Sequence, residues 1–371
     1  MRSRRSILVI VDRSARREWS SRLAAAPIDA AALRKTMTGP DDWTDPGWLE
    51  ETRAWIAARL GERGLAIRGD IEQPHLQWWS TALRVPTSDG AVFFKASRAS
   101  GAFEGPLTDI VAREARTRTA ELLAFDPDRA WMLTRDAGTR LREAAPGREQ
   151  LTHWERLLPR YAELQLALAP RADELLALGV TDLRLPVLPP LLERACAEPE
   201  LLERDDEDGM TADELAALGD ALPRFRELCT HLDGLGIPPS LQHDDLHDGN
   251  VFVGDGDHVF FDWGDACVSH PFHTLVVTLR ATAYRLGLEP GCDEIVRLRD
   301  AYLEPWTTVA PRGDMVAAAE LARRTGTIQR AMAWYLGSRQ MPRDVRGEYE
   351  ASVPYGLKLY LANAPFGAWE P

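Results

Sequence analysis

One loop limits what this chain can fold into more than any other stretch: Gln242-His243-Asp244-Asp245-Leu246-His247-Asp248-Gly249-Asn250. Two short apolar runs follow, Val251 to Val253 and Val259 to Phe261, around a Gly-Asp-Gly-Asp turn, and then Asp262-Trp263-Gly264. The pattern reads as H-x-D-x-x-x-x-N, a small hairpin, and D-x-G. It brings a carboxylate (Asp245), an amide five residues later (Asn250) and a second carboxylate (Asp262) to one place. Taken singly, each has a plain explanation. Asp245 reads as a turn residue or helix cap, Asn250 as a left-handed turn residue after Gly249, and Asp262 as a strand-end cap. Their order and spacing around one short hairpin argue for a joint role.

That role is phosphoryl transfer to an alcohol. The reaction passes through a loose transition state, so a protein accelerates it by positioning and by electrostatics. Asp245 is the candidate base, orienting a hydroxyl and taking its proton. Asn250 and Asp262 are the candidate metal ligands, because magnesium prefers oxygen donors and keeps several waters. His243 reads as structural support, packing under the turn and bonding the backbone. His247 reads as a surface or loop residue. The set implies ATP and Mg2+ as cofactors.

Elsewhere, Trp78 to Val85 and Ala91 to Ala96 read as strands joined by Pro86-Thr87-Ser88-Asp89-Gly90, a strong turn signal. Lys95 lies on the second strand, where a lysine steers the phosphates of a nucleotide, and it is one of very few lysines here. An amphipathic helix is expected over roughly Leu107 to Phe125, with Glu114 as the acid that holds Lys95. No G-x-G-x-x-G precedes the hairpin, so backbone N–H groups near Trp79, Ser80 and Thr81 are the candidate phosphate cover. Ala130 to Thr134 reads as a further strand, and Met132 to Arg135 as the place where a hinge would meet adenine.

The flanks fill in a fold. Asp45-Pro46 opens a helix-like run from Gly47 to Leu60. Beyond about residue 140 helical patterns dominate: Glu149 to Leu168, with Pro159 expected to kink or split it, Pro189 to Leu202, and a long helix after the capping box Thr211-Ala212-Asp213-Glu214. From Thr274 onward the chain again looks mostly helical. The expected class is α+β, a protein-kinase-like two-lobe fold. It has an antiparallel N-lobe sheet with a helix and a mostly helical C-lobe. The divisions are 1–46 as an N-terminal extension, 47–135 as the nucleotide-binding N-lobe, and 136–371 as the C-lobe that carries the catalytic loop and the substrate site. The cleft between lobes is where ATP is expected.

Composition narrows the partners. With 371 residues, 45% hydrophobic and 27% charged, the chain can bury a large core. A net charge of −13 argues against nucleic acid. No apolar run reaches membrane-span length. The start, Met1-Arg2-Ser3-Arg4-Arg5 and then Ile7 to Val11, is too short and too quickly followed by charge to be a signal peptide. Cys196, Cys229, Cys267 and Cys292 are far apart, which fits reduced thiols in a cytoplasmic protein. The acidic run Glu203 to Asp208 reads as a solvated loop, and the tryptophans as packing residues. Among them Trp263 sits next to the metal ligands, and Trp334 and Tyr335 read as core.

These residues resemble the aminoglycoside phosphotransferase and choline kinase family. His243-Asp244-Asp245-Leu246-His247-Asp248-Gly249-Asn250 is similar to that family's H-G-D-L-H-x-x-N. The resemblance implies Asp245 as base, Asn250 and Asp262 as metal ligands and Lys95 as the N-lobe lysine. It covers roughly residues 75 to 280 and is strongest over 240 to 265. It implies a kinase that moves the γ-phosphate of ATP to a hydroxyl of a small molecule such as an aminoglycoside, amino alcohol or sugar. Two positions depart from the pattern. Asp244 stands where the family usually has Gly, and reads either as a tolerated turn residue or as a charge felt by the base or the substrate. Thr274 stands where an Asp usually braces the loop. The alternative reading is a pseudokinase, a nucleotide-binding regulatory module. The intact Lys95, Asp245, Asn250 and Asp262 argue against it. A protein kinase is disfavoured by the missing A-P-E segment and activation loop. The acceptor and the oligomeric state stay open at this point.

Overall fold

The computed structural model describes residues 40–114, 119–198, 201–202, 208–254, 258–347, 349 and 351–370. Most of the 1–46 extension and most of the acidic run after Leu202 lie outside these residues. Helix α1 spans Pro46–Gly61. Asp45 caps it by accepting from the Trp48 N–H at 2.9 Å, and Pro46 starts it, a position where the missing N–H costs nothing. Next comes an antiparallel sheet: β1 Glu72–Leu76, β2 Ser80–Thr87, β3 Gly90–Ser97, then, after helix α2 (Glu104–Glu114), β4 Leu122–Asp126 and β5 Trp131–Arg135. Its spatial order is β1-β2-β3-β5-β4.

The alternation on β3 determines where Lys95 goes. Val92, Phe94 and Ala96 are fully buried on one face, in a core with Ile56 and Leu60 of α1 and with Leu83, Val85 and Leu133 of the sheet. Trp55 meets Phe94 and Trp131 edge-on at 5.8 and 5.7 Å, and Trp43, ahead of α1, joins the same core. Lys95 therefore points to the opposite face, away from α1. Its neighbours across the ladder are Ala82 and Met132.

Two expectations fail in this region. The helix expected over Leu107 to Phe125 begins earlier, at Glu104, and is described as far as Glu114. Leu122 to Asp126 is a strand, paired antiparallel with β5. A five-residue apolar run has too few repeats to separate helix from strand, and pairing to a neighbouring strand decides it.

The second lobe is mainly helical. A short strand β6 (Thr139–Arg140) leads to α3, Gln150–Leu168, which stays one helix through Pro159. Next in order are β7 Thr181–Asp182, α4 Leu188–Cys196, α5 Ala212–Asp233, β8 Ser240–Gln242, β9 Val251–Val253, β10 His258–Phe260 and β11 Cys267–Ser269. Helices α6 Thr274–Leu286, α7 Asp293–Leu303, α8 Arg312–Ser338 and α9 Ser352–Leu361 complete it. The capping box of α5 forms in both directions, Thr211 Oγ1 accepting from Glu214 N–H at 3.2 Å and Glu214 from Thr211 N–H at 2.7 Å. Two three-stranded sheets frame the motif loop. In one, β9 sits between β10 and β6; in the other, β11 sits between β7 and β8. The loop from 243 to 250 thus leaves β8 and enters β9, held at both ends. Among the described residues no helix is long and apolar enough to cross a membrane.

Candidate active site

Lys95 is the N-lobe's contribution. It is 9% exposed, and its Nζ donates to Glu104 Oε1 at 2.7 Å and to Asp262 Oδ1 at 2.5 Å. One ammonium group therefore ties the sheet, the first turn of α2 and the D-x-G triplet together. The expected partner was Glu114, and the structure replaces it with Glu104. Glu114 lies ten residues further along α2, about 15 Å of helix rise away. It instead meets Arg171 at 2.6 Å on the outside of the lobe. The sequence signal for Glu104 is Pro106, a residue suited to the first turn of a helix, which puts Glu104 inside that turn.

Asp262 closes the other end of the pair in the left-handed region, φ 64°. Burial works to raise its pKa, but Lys95, by charge and hydrogen bond, outweighs burial and holds it well below the usual carboxylate range. It is an ionised oxygen donor at neutral pH. Asn250 turns its amide nitrogen onto the main-chain oxygen of Asp245 at 3.0 Å and onto Asp245 Oδ2 at 3.2 Å. Both partners are acceptors, so the NH2 must face them and Oδ1 must face away. One amide oxygen and one ionised carboxylate suit a hard divalent cation whose other ligands are water and phosphate.

The loop itself is fixed from below. Tyr161 of α3 accepts the His243 N–H at 2.8 Å, and Gln165 of α3 donates to the Leu241 carbonyl at 2.8 Å. These contacts brace the loop in a chain where Thr274 stands in place of an Asp. The His243 ring is fully buried; its Nε2 lies 2.9 Å from the Phe261 carbonyl and its Nδ1 faces the Asp245 N–H at 3.4 Å. Those partners require a neutral ring with the proton on Nε2. Burial lowers its pKa, in keeping with that state. His243 is thus buried under the loop and bonded to its backbone.

His247 does not lie on the surface. It is 6% exposed, its Nδ1 accepts the Gly249 N–H at 2.9 Å, and its Nε2 lies 3.3 Å from Asp245 Oδ2. Asp248 is buried with Arg142 at 3.1 Å and Arg285 at 3.3 Å. A Cβ at Gly249 would sit 1.8 Å from Arg142 Nη2 and 2.8 Å from His247 Cε1, so a side chain there would displace the arginine that pairs with Asp248.

Asp244 is not a tolerated turn residue. It is 1% exposed with φ 62°, accepts from Gln329 Nε2 at 3.1 Å and pairs with Arg330 Nη1 at 3.0 Å. Arg330, from the middle of α8, also meets Asp245 Oδ1 at 3.3 Å and Asp265 Oδ2 at 3.5 Å. A side chain can replace the usual glycine because a buried guanidinium answers it. Burial raises the pKa of Asp244 against the pull of Arg330 and Gln329. Burial also pushes Asp245 up, but His247 and Arg330 reverse this and hold it below the usual carboxylate range. At Asp245 these cations outweigh whatever the like charge of Asp244 adds. Arg330 itself had no motif to mark it; a buried Asp beside the loop was the sole hint that a cation had to arrive from elsewhere.

Opposite the loop, a cleft of about 600 Å3, open mouth included, is lined by Asp245, His247, α6, α8 and α9. Trp334, expected in the core, is half-buried and lines this cleft, while Tyr335 is buried as expected. Ser80 and Thr81 belong to the β2 ladder, so the turn between β1 and β2 is Gln77 to Trp79. Trp79 packs edge-on against Tyr349 of the C-terminal region at 5.2 Å.

With this geometry in place, the comparisons with known proteins can be read. The profile of the phosphotransferase enzyme family matches residues 91–313, more than half of the chain. No curated protein matches it. Among solved structures, a choline kinase from Cryptosporidium parvum Iowa II is similar at TM-score 0.54 and 12% identity, over 79% of this chain and 88% of that one. A Plasmodium vivax ethanolamine kinase aligns at TM-score 0.52 and 12% identity, over 77% and 81%. A macrolide 2′-phosphotransferase from Brachybacterium faecium aligns at TM-score 0.50 and 15% identity, over 80% and 97%. At these identities the likeness is one of fold: the two-lobe, protein-kinase-like α+β architecture expected from the sequence.

Proposed function

The chain belongs to the phosphotransferase enzyme family, and we propose that it moves the γ-phosphate of ATP, presented with Mg2+, onto a hydroxyl of a small molecule. Membership makes it a phosphotransferase acting on small-molecule hydroxyl groups. The nucleotide, the metal and the residue roles are our reading. The observation that carries it is the double pairing of Lys95 with Glu104 and Asp262, opposite an Asp245 whose carboxylate is oriented by Asn250.

Residues 47–135 take the nucleotide and 136–371 carry the catalytic loop and the acceptor. Lys95 holds phosphate oxygens while Glu104 keeps its ammonium in place. Asn250 and Asp262 would hold the magnesium, which would neutralise charge on the phosphates. Asp245 accepts the proton of the acceptor hydroxyl as its oxygen bonds to the γ-phosphorus and the bond to the β–γ bridging oxygen breaks, leaving ADP. His243 positions Asp245 and does not touch the reacting atoms. A cytoplasmic setting, with ATP at hand, accords with four unpaired cysteines.

The test is magnesium-dependent ATP consumption with pooled aminoglycosides, amino alcohols, sugars, nucleosides and macrolides, with Asp245→Asn in parallel. We expect a pool that stimulates the wild type, and a loss of about 10²- to 10⁴-fold in the variant with nucleotide binding nearly intact. Weakened ATP binding with normal turnover would remove Asp245 from the base role. A wild type that binds ATP and phosphorylates nothing would favour the regulatory-module reading.

A further inference from the structure

The acceptor cleft carries a charge that phosphoryl transfer does not need. Arg280 on α6 is half-buried and lines the same cleft as Asp245. Its guanidinium lies over the ring of Tyr355, 5.5 Å from the centroid, and Tyr355 is held in place by donating its hydroxyl to the Trp369 carbonyl at 2.8 Å. No carboxylate among the described residues lies within ion-pair distance of Arg280. The other cation of the cleft, Arg330, is answered by Asp244, Asp245 and Asp265.

The rest of the lining is what a cationic acceptor would avoid. Among the described residues that line the cleft, Asp245 is the one acid; its walls include Val277, Ala281, Ala331, Trp334 and Tyr355. An ammonium acceptor could alternatively use an aromatic face. Both aromatic rings are already taken, Tyr355 by Arg280 and Trp334 by Arg330, at 5.5 and 5.3 Å. A half-buried guanidinium without an anion is an incomplete pair, and its planar fork matches carboxylate or phosphate oxygens.

We propose that the acceptor of this enzyme is a hydroxyl compound that also bears an anionic group, a carboxylate or a phosphate, and that Arg280 binds that group while Asp245 faces the hydroxyl. The assignment rests on the phosphotransferase reading of the same site. It makes Arg280 the residue that sets specificity, with choline-like and aminoglycoside-like polycations as poor substrates.

The experiment measures magnesium- and acceptor-dependent ADP release by the full chain. Matched sets differ only in charge: glycerol, glycerate and glycerol 3-phosphate; glucose, gluconate and glucose 6-phosphate; with choline and kanamycin as cations. The carboxylate and phosphate arms separate the two sources of the anion. We expect anion-bearing acceptors to exceed their neutral counterparts in kcat/KM by about tenfold or more, and Arg280→Ala to raise their KM by about 10- to 100-fold with kcat within a few-fold. Arg280→Lys should recover part of the loss. Preference for neutral or cationic acceptors, or an Arg280→Ala enzyme with unchanged KM for anions, overturns the proposal and leaves the kinase standing. Failure to phosphorylate any acceptor, together with no magnesium-dependent ATP binding, overturns the kinase reading itself.

Discussion

Two buried cations hold the cleft together, one from each lobe, and they are built for different tasks. Lys95 sits on a strand facing Glu104 and Asp262, while Arg330 sits on a helix facing Asp244, Asp245 and Asp265. Lysine is a point charge on a flexible stem, free to trade a carboxylate for a phosphate oxygen. Arginine is a rigid fork that satisfies several acceptors at once. Burial would lower the pKa of Arg330, but its three carboxylates outweigh burial and raise it. The N-lobe thus offers a charge that can be re-partnered on nucleotide binding, and the C-lobe offers one that is permanent. The same contrast explains why Asp245 stays ionised although it is buried with two other acids.

The sharpest way to break this comparison is to remove the permanent charge. Arg330→Met leaves three buried acids without their cation, and urea unfolding should show a loss of about 3–5 kcal/mol. A loss below about 1 kcal/mol would mean that solvent already screens the cluster, and the distinction between the two cations would fall. Lys95→Met should behave differently. Turnover should drop by about 10²- to 10³-fold, as for loss of one preorganised charge on the transferring group, while the fold survives. Turnover within a few-fold of wild type would show that Lys95 is a structural ion like Arg330.

A smaller effect separates the lobes by pH. The C-lobe buries neutral histidines: His243 in the catalytic loop, whose Nδ1 must accept, and His270 and His273 after β11. Burial pulls His270 from 6.5 to about 3 and His273 well below 6.5. Each is depressed in the folded state, so its contribution is fully present above pH 6.5 and is lost as pH falls from there toward the folded value. Per histidine the slope approaches about 1.4 kcal/mol per pH unit. Unfolding curves at pH 7 and pH 5 should therefore show a loss on acidification that His270→Asn reduces. Stability that is flat or rising toward pH 5 would contradict neutral burial of these rings.

How much of this was legible beforehand follows from the range of the interactions. Asp245, Asn250 and Asp262 lie within one hairpin, so their convergence is local and spacing alone exposes it. Lys95 is readable because β3 alternates and an inward lysine is rare on such a strand. Arg330 is 85 residues from Asp245, and its place depends on how α8 packs under the loop. Sequence periodicity marks α8 as amphipathic without saying which cation on it turns inward. The same limit hid the aromatic faces of the cleft, because Trp334 on an amphipathic helix reads as core until α6 and α9 are seen beside it. Glu104 is an intermediate case: Pro106 marks a helix start, but the apolar periodicity that identifies the helix begins only at Leu107.

The finest test lies on α2, because two glutamates on one helix should part company. Glu104 is 3% exposed and bonds Lys95, whereas Glu114 meets Arg171 outside, with both side chains partly exposed. Glu104→Gln keeps the shape and removes the charge that holds the ammonium between phosphate and Asp262. A charge-assisted bond of this kind is worth about 1.5–3 kcal/mol, so kcat/KM should fall by about tenfold or more. Glu114→Gln loses only a surface pair, worth less than about 1 kcal/mol of stability, and kinetics should not move. If both variants slow the enzyme alike, α2 acts as a rigid unit and the lysine is held by the helix as a whole. If Glu114→Gln alone slows it, the lysine changes partner when nucleotide binds, and the pairing seen between Lys95 and Glu104 belongs to the empty cleft.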